Sequence, residues 1–415
     1  MSTREPITRR RFLKQSSAAA AALGLGSMIR PRTALSATRT IGANDRVVVG
    51  LIGAGGMGTY DARAAMAEPN VHFGALCDVA EFRIKNCCAA TNAEKQPGGP
   101  PRAVFGDYRE LLDMKEIDGV IIATPDHWHY RAFVDSIEAG KHVYQQKPMC
   151  YTIEQGLDMV RVAQAHPRQV VQIGTQRRSG KHYPKAKELI DQGKLGRIAF
   201  IRCYDCRNYA HSDPFAPQPY EGKIDWDRFQ LPCRHKVKFD EWRYFAWRWY
   251  WDYAGGLVTD VGIHVMDVVH WLTGNDTPRS VVANGGVYGQ KYWETPDVVN
   301  CVWEYGTHSV TFTANFNNGY IGDGLTLYGT EATMEIRGHD IYVISERDRK
   351  EIATFKAENG SHEGNWIRAI RGIEKVNAPV ELGFKSLLPS LLANLAYRSG
   401  RKLGWDPDAK KVVEL

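Results

Sequence analysis

The sequence lacks the long hydrophobic run that a membrane-spanning helix requires. No apolar stretch approaches the length of about 20 residues that crosses a bilayer, and no internal repeat is present. With 43% hydrophobic and 24% charged residues, the 415-residue chain is typical of a globular protein that is long enough for two domains. We therefore expect the body of the protein to be soluble.

The chain also lacks a basic surface, although its formal net charge is +6. Residues 1–37 contain seven basic residues and a single acid, Glu5, which accounts for the whole excess. The basic residues of this segment are Arg4, Arg9, Arg10, Arg11, Lys14, Arg30 and Arg32. The remaining chain is therefore close to neutral, and neither nucleic acid nor an anionic membrane is expected as a partner.

The eight cysteines follow no pattern that binds zinc. Cys203 and Cys206 form a C-x-x-C pair, but the surrounding sequence predicts a strand, in which residues three apart face opposite sides. His127 and His129 have no carboxylate or cysteine at a spacing that would complete a metal site. No metal is predicted, and the pairing of the cysteines is left open.

The segment 46–78 predicts a dinucleotide-binding β-α-β unit. An apolar, β-branched run is followed at once by Gly53, Gly55 and Gly58, spaced as G-x-G-x-x-G, and a second apolar run ends at Asp78. These glycines permit a sharp turn, close approach of the backbone to a pyrophosphate, and tight packing of the helix on the strand. We also expect Gly56 and Met57, which belong to the same loop, to contact the dinucleotide. The alternative is a glycine-rich turn without a ligand.

Asp78 bears on which dinucleotide the protein binds. An acid at the end of the second strand suits the hydroxyls of a ribose and would repel a 2′-phosphate. NAD is therefore favoured over NADP. Arg83 and Lys85 are close enough in sequence to offer a phosphate some compensation.

Two later strands end in polar residues that a cofactor could reach. One apolar run leads into Thr124 and Pro125 and then into Asp-His-Trp-His, which ends at His129. Ligands of open α/β sheets collect at the carboxyl ends of strands, so we predict cofactor contacts at Thr124, Pro125 and His129. Lys147 follows the next strand and precedes a proline that holds the chain extended, which favours a functional lysine over a solvated one.

A helix is predicted over residues 259–272, closed by Gly274. It places Asp260 and His264 one turn apart, so both can face one substrate. A histidine beside a carboxylate is a common construction for a general base and its orienting partner. A capped helix start with a buried, hydrogen-bonded histidine fits the same spacing.

Four motifs occur in the order G-x-G-x-x-G, A-T-P-D-H-W-H, A-G-K-H-V-Y-Q-Q-K-P and G-G-L-V-T-D-V-G-I-H-V-M-D. Over about residues 41–415 they resemble the Gfo/Idh/MocA family of sugar and cyclitol oxidoreductases. The resemblance implies that Asp260 and His264 act together with Lys147, which also lies at the cofactor. The third motif usually has Glu before Lys-Pro, so Gln146 departs from it. A neutral amide supports a protonated lysine less well than a carboxylate does.

The expected fold is an α/β Rossmann dinucleotide-binding domain over 41–176, followed by an α+β domain with a large, mostly antiparallel open sheet over 177–415. We expect the second domain to serve substrate binding and assembly into a homo-oligomer. Residues 241–253 are rich in aromatic residues and arginine. Such a run suits stacking on sugar rings, and it suits a core or a subunit interface equally well.

Three functions are compatible with these residues. The first is an NAD(P)-dependent oxidoreductase with a tightly bound cofactor, acting on a hydroxyl of a sugar, glycoside or cyclitol. There His264 would take the proton, Lys147 would hold the oxygen and Asp260 would orient His264. The second, implied by the resemblance, is a glycoside hydrolase that oxidises its substrate transiently, eliminates the substituent and restores NAD. The third is a sugar-binding or scaffold protein without activity.

Residues 1–37 are expected to be an export signal. Thr8–Lys14, TRRRFLK, resembles a twin-arginine signal, and a weakly hydrophobic stretch and small residues suited to cleavage follow it. The alternatives are a basic, alanine-rich amphipathic helix and an uncleaved anchor. Since the twin-arginine machinery exports folded proteins, we expect a periplasmic or otherwise exported protein that loads its cofactor before export.

Overall fold

The computed structural model describes residues 46–92 and 98–415. Its first sheet is parallel, with the strand order β3-β2-β1-β4-β5-β6. The strands are β1 (Val47–Ile52), β2 (Val71–Cys77), β3 (Ala103–Phe105), β4 (Gly119–Ile122), β5 (His142–Gln145) and β6 (Val171–Ile173). Because the connections reverse direction between β1 and β4, the crevice at the carboxyl ends of these two strands is the expected place for a ligand.

Helices alternate with these strands along the chain. They are α1 (Gly56–Met66), α2 (Glu81–Ala90), α3 (Tyr108–Leu112), α4 (Asp126–Glu138) and α5 (Ile153–Ala165). Helix α5 begins with a capping box, in which Thr152 accepts from the main-chain N–H of Gln155 and the Gln155 side chain accepts in return. The predicted Rossmann architecture is confirmed.

The second sheet has ten strands within the described residues, in the order β14-β13-β12-β11-β7-β10-β9-β8-β15-β16. The strands are β7 (Ile198–Cys206), β8 (Ser280–Gly286), β9 (Val298–Glu304), β10 (Ser309–Asn315), β11 (Asp323–Gly329), β12 (Ala332–Arg337), β13 (Asp340–Ser345), β14 (Glu351–Phe355), β15 (Leu403–Asp406) and β16 (Lys411–Glu414). Only β7 and β10 pair in parallel in this part of the chain. The expected large, mostly antiparallel sheet is therefore confirmed.

Seven further helices lie in the second part of the described chain. They are α6 (His182–Asp191), α7 (Trp226–Phe229), α8 (Glu241–Phe245), α9 (Gly256–Asp260), α10 (Gly262–Thr273), α11 (His362–Ile370) and α12 (Val380–Ser399). Short 3₁₀ turns occur at Gln176–Ser179 and Trp247–Trp249. The aromatic-rich stretch is thus mostly helical, and its Trp249 is fully buried.

Helix α11 returns from the second half of the sequence to the first sheet. Trp366 is fully buried there, its ring centroid 5.9 Å from that of Tyr144 on β5, and Arg368 forms an ion pair with Glu68. The core around the first sheet is therefore built from two separate parts of the chain. The boundaries at 41–176 and 177–415 stay predictions.

The expected export signal lies outside the described residues. Within the described ranges, no helix is both long enough and apolar enough to cross a membrane. All eight cysteines fall in these ranges and are free thiols, of which Cys203 and Cys206 both lie on β7.

Candidate active site

The turn between β1 and α1 has the backbone geometry that the three motif glycines predict. Gly53 has φ +96°, and a Cβ there would lie 2.7 Å from the carbonyl oxygen of Ala123 on the neighbouring strand segment. A Cβ on Gly58 would collide with the carbonyl oxygen of Gly53. Both positions therefore require glycine for the turn and for the packing of α1 on β1.

The N-terminus of α1 fits a dinucleotide pyrophosphate. Its cap residue, Gly55, provides no side chain to satisfy the first main-chain N–H groups, and the first turn contains no acid. A Cβ built on Gly55 or Gly56 meets no atom within 4 Å, so the backbone here is open to a ligand. The helix end therefore offers unsatisfied donors to an anion in front of it.

A cavity of about 330 Å³ lies in front of this turn. Seven of the predicted cofactor residues line it: Gly53, Gly55, Gly56, Met57, Asp78, Thr124 and Pro125. The second half of the chain closes it with side chains that the motifs do not predict, namely Phe215, Arg228, Tyr244, Phe245, Trp247 and Arg248. Both halves of the chain thus contribute to one crevice at the carboxyl ends of β1 and β4.

Asp78 lies in this cavity at the end of β2. Its carboxylate accepts from the main-chain N–H of Ala54 at 2.6 Å and of Ala80 at 2.9 Å. Burial raises the pKa of Asp78, although these two donors and Arg83 oppose the shift. Arg83 also lines the cavity, with its guanidinium 4.8 Å from the ring centroid of Phe82. The carboxylate is thus fixed in position beside the space where a ribose would lie.

His129 occupies a different place from the other predicted cofactor residues. It is 1% exposed, and its two ring nitrogens lie 2.6 Å from the carbonyl oxygen of Pro148 and 2.8 Å from that of Thr124. Burial lowers the pKa of His129 to about 4. The ring therefore connects the ends of β4 and β5, and a direct contact with the cofactor stays a prediction.

Lys147 and Asp260 form the centre of the candidate active site. The ammonium group of Lys147 donates to Oδ1 of Asp260 at 2.7 Å and to the main-chain oxygen of Asp260 at 2.8 Å. Burial alone would raise the pKa of Asp260, but Lys147 and then Arg248 hold it well below its usual range. The two side chains are therefore an ion pair at neutral pH.

The helix predicted over 259–272 is confirmed over most of its length and is closed by Gly274 at φ +69°, but Val261 divides it in two. Helix α9 ends at Asp260, Val261 interrupts it, and α10 begins at Gly262 and carries His264. In the described residues no hydrogen bond joins the Asp260 carboxylate to the His264 ring. The carboxylate binds the ammonium group of Lys147 instead. Burial first, and then the charges of Lys147 and Arg177, lower the pKa of His264 well below its usual range. The ring is neutral at pH 7.

Arg248 links the cavity to this ion pair. Its Nε lies 3.7 Å from Oδ1 of Asp260, and its guanidinium lies 4.3 Å from the ring centroids of both Phe215 and Trp247. Such stacking holds a planar cation over aromatic faces. The sequence offered one indication of this residue, because Arg248 belongs to the run of arginines and aromatic residues over 241–253.

Asp126 lies close to this ion pair, although the sequence motifs did not predict it as a catalytic residue. It is the first residue of α4 and is 3% exposed. Burial, and next the charge of Asp260, raise the pKa of Asp126 to about 8, while Lys147 and Arg248 oppose the shift. Asp126 is therefore protonated at neutral pH. Its place within the A-T-P-D-H-W-H motif is the indication that the sequence provides.

Gln146, which departs from the expected motif, connects the backbone of Lys147 to the buried acid Asp61. Its Oε1 accepts from the main-chain N–H of Lys147 at 3.0 Å, and its Nε2 donates to Asp61 at 2.9 Å. Tyr144 donates to Glu363 at 2.8 Å. Burial, and then the neighbouring Glu363, raise the pKa of Asp61 well above its usual range. A glutamate at position 146 would add a third buried carboxyl, which is a physical reason for the amide.

Family models match both halves of the chain. Residues 47–175 match the model described as oxidoreductase family, NAD-binding Rossmann fold, and residues 229–335 match the GFO/IDH/MocA C-terminal domain. The first of these models covers the turn, the cavity residues of the first sheet and Lys147. The second covers Arg248, Asp260 and His264. The first domain is therefore an NAD-binding Rossmann domain.

Individual relatives are distant. An uncharacterized oxidoreductase, YrbE, of Bacillus subtilis is 22% identical over 71% of this chain and 72% of its own length. An inositol 2-dehydrogenase/D-chiro-inositol 3-dehydrogenase of Shouchella clausii is 25% identical over 55% of this chain and 54% of its own. The structure of a levoglucosan dehydrogenase with NADH and levoglucosan has a TM-score of 0.67, at 19% identity, over 86% of this chain and 99% of that one. This last likeness establishes a shared fold.

The network under Lys147 predicts the effect of restoring the usual motif residue. In Gln146→Glu, we expect the free energy of unfolding to fall by about 3 kcal/mol at pH 7, because a further charge is buried beside Asp61 and Glu363. Burial raises the pKa of the new carboxyl in the folded state, so the loss should shrink as pH falls towards about 4.3, the ordinary pKa of glutamate. Urea denaturation between pH 4.5 and 8 measures both effects.

The control for this experiment is Gln146→Met, which removes the same hydrogen bonds without adding a charge. Its loss of stability should not change with pH over that range. Equal losses for the two variants at every pH would contradict the explanation of Gln146 by charge.

Proposed function

Because the chain belongs to the GFO/IDH/MocA family of oxidoreductases, we propose that it oxidises one hydroxyl of a sugar, glycoside or cyclitol with NAD. The observation that carries this proposal is the Lys147–Asp260 ion pair at 2.7 Å, with a neutral His264 in its field and Arg248 leading to the NAD cavity. The dehydrogenases of inositol and levoglucosan among the similar proteins support the substrate class.

The residues that would hold the cofactor are those of the glycine turn and the end of β2. The main-chain N–H groups at the start of α1, around Gly56 and Met57, face the position of a pyrophosphate. Asp78 would bind the ribose hydroxyls, and its charge favours NAD over NADP. Thr124 and Pro125 line the same cavity.

Each side chain of the site then has one task. Lys147 binds the oxygen of the reacting hydroxyl and stabilises the negative charge that develops as the proton leaves. His264, which is neutral, accepts that proton on a ring nitrogen. Asp260 keeps the ammonium of Lys147 in place. Bound NAD supplies the hydride acceptor for the same carbon, so the product is a carbonyl compound.

We further propose that the protein is exported through the twin-arginine machinery with NAD already bound. The support is the segment Thr8–Lys14, in which Arg9 and Arg10 precede Phe12, Leu13 and Lys14 at the expected spacing. A cofactor that must serve outside the cytoplasm has to be retained and regenerated in place. This requirement suits a cavity that both halves of the chain enclose.

The open face of the ten-stranded sheet supports a proposal of homo-oligomers. Phe200 and Tyr328 stack on this face at 5.4 Å and are each 38% exposed, and Val282 and Val302 are 44% and 41% exposed. Exposed apolar groups on one sheet face are typical of a protein interface.

Light scattering should therefore give a multiple of the 46.6 kDa chain mass, reduced by any cleaved signal. A monomer at micromolar concentration would contradict the proposal.

Removal of the proposed base tests the mechanism. In His264→Ala, we expect kcat for the oxidised sugar to fall by about 10²–10⁴-fold, because no group takes the proton. The amount of bound dinucleotide should not change, since His264 is not among the residues that line the cavity. Absorbance at 340 nm with a panel of sugars, glycosides and cyclitols measures the first quantity, and mass spectrometry of the denatured protein measures the second.

His166→Ala is the matched control, because His166 lies at the C-terminal cap of α5 and should leave kcat unchanged. Full activity of His264→Ala would remove His264 from the mechanism. Release of sugar or aglycone without net NADH would instead support the hydrolase that works by transient oxidation and elimination. A wild-type protein that neither contains nor binds a dinucleotide would overturn the proposed function.

A variant of the leader tests export. In Arg9→Lys with Arg10→Lys, we expect the protein to stay in the cytoplasm of the producing cell, because the twin-arginine machinery requires the arginine pair. Cell fractionation followed by mass spectrometry of bound dinucleotide makes the measurement. The wild-type protein should carry NAD in the exported fraction. Equal export of both forms would contradict a twin-arginine signal.

A further inference from the structure

A second cavity, of about 760 Å³, lies where helices α3, α4 and α5 meet the loop after α7 and the end of α12. Its volume is typical of a site for a small molecule. Lys147, Asp260 and His264 are not among its described lining residues, and it shares Arg109 and Trp128 with the NAD cavity. It is therefore a separate space beside the cofactor cavity, and the proposed function assigns it no task.

Four arginines line this second cavity: Arg109, Arg131, Arg234 and Arg398. The Nε atoms of Arg109 and Arg131 lie 3.8 and 3.2 Å from the same carboxylate oxygen of Asp135, whose side chain is 3% exposed. This buried acid holds the first pair of arginines in place and offsets part of their charge. Arg109 also faces the NAD cavity, where the dinucleotide is itself an anion. The first pair therefore contributes donors more than net charge.

The second pair, Arg234 and Arg398, lines this cavity and not that of NAD. Arg398 is in the last turn of α12, with its guanidinium 5.0 Å from the ring centroid of Trp251, and Arg234 is exposed in the loop after α7. Within the part of the chain that the structure describes, no carboxylate forms an ion pair with either guanidinium. Asp252, the one acid among the described lining residues, accepts from Arg243 at 3.1 Å instead. The donors of the second pair are therefore available to an anion.

Aromatic side chains provide the apolar part of the wall. Tyr130 lies on α4, Tyr151 just before α5, and Trp251 beside Arg398. The Tyr130 hydroxyl donates to Asp158 at 2.8 Å, and the Tyr151 hydroxyl donates to the main-chain oxygen of Trp251. Both phenol oxygens keep a lone pair that can accept a hydrogen bond. Flat rings with accepting oxygens suit sugars, which present C–H faces and hydroxyl groups.

We propose that this second cavity binds an acidic oligosaccharide, a short chain of sugars that carry carboxylates. A guanidinium pairs with a carboxylate through two parallel hydrogen bonds, which supplies both charge and geometry. The two pairs of arginines belong to four different segments, so they suit single charges spaced along a chain. A phosphate concentrates about 1.5 to 2 negative charges on one group. The inference goes beyond the proposed function, because the cavity is distinct from the site of oxidation.

Binding measurements test the inference without requiring turnover. Isothermal titration calorimetry on protein loaded with NADH, which takes up no hydride, compares trigalacturonate with maltotriose, a neutral trisaccharide. We expect trigalacturonate to bind the wild-type protein about 30-fold or more tightly than maltotriose. In the double variant Arg234→Gln with Arg398→Gln, the affinity for trigalacturonate should fall by about 30-fold or more, because two charge-assisted pairs are lost.

The matched control is Arg347→Gln with Arg401→Gln, which removes the same charge from two exposed arginines that do not line the cavity. This variant should bind trigalacturonate as tightly as the wild type does. His264→Ala should do so as well. Weaker binding by His264→Ala would place the oligosaccharide in the candidate active site and overturn the inference.

Three other results would also overturn it: no binding of trigalacturonate, equal affinity for the two trisaccharides, or unchanged affinity in the double variant. Inorganic tripolyphosphate that binds more tightly than trigalacturonate would assign the cavity to phosphates instead. If the double variant does not fold, Arg234→Gln alone still decides, because this residue is exposed in a loop. Its affinity for trigalacturonate should fall by about fivefold or more.

The inference and the proposed function can fail separately. Reduction of NAD by a sugar, in a protein that does not bind trigalacturonate, would overturn the inference while the proposed function stands. Trigalacturonate binding that depends on Arg234 and Arg398, without reduction of NAD by any sugar, would have the opposite meaning.

Discussion

An ammonium and a carboxylate 2.7 Å apart connect the two halves of this protein at the candidate active site. Lys147 follows the fifth strand of the parallel sheet, and Asp260 ends a short helix that is 113 residues later in the chain. Their side chains are 14% and 17% exposed, so separating them would leave a poorly solvated charge on either side. Arg248 and His264 are placed in the field of this pair, and the NAD cavity opens beside it.

The hydrogen bonds of Gln146 explain how the site tolerates an amide where the motif usually has a glutamate. Gln146 accepts from the backbone of Lys147 and donates to Asp61, so it positions the lysine without contributing charge. The ammonium receives its countercharge from Asp260 instead. Residues far away in sequence thus supply both the hydrogen bond to Gln146 and the countercharge of Lys147.

Local spacing was sufficient to predict the glycine turn on the cofactor side of the site. The positive φ of Gly53 and the collision that a Cβ at Gly58 would cause are consequences of one short segment, and that segment can be recognised by its pattern. The break at Val261 could not be recognised, because Asp260 and His264 have helical spacing and tertiary contacts decide where the helix stops.

Contacts between distant segments account for the other differences. Trp366 completes the core of the parallel sheet from a helix near the end of the chain, and no local pattern indicates that partner. Arg248 has the same character, because its guanidinium lies over Phe215 and its Nε lies 3.7 Å from Asp260. The functional residues that spacing missed are thus those whose surroundings form only when segments far apart in the sequence come together.

The surroundings of His264 have a consequence for the proton transfer itself. Burial, and then the charges of Lys147 and Arg177, lower the pKa of His264, so in the free site the ring is a weak base. A weak base is sufficient in the proposed reaction, because Lys147 stabilises the negative charge that develops on the oxygen as the proton leaves.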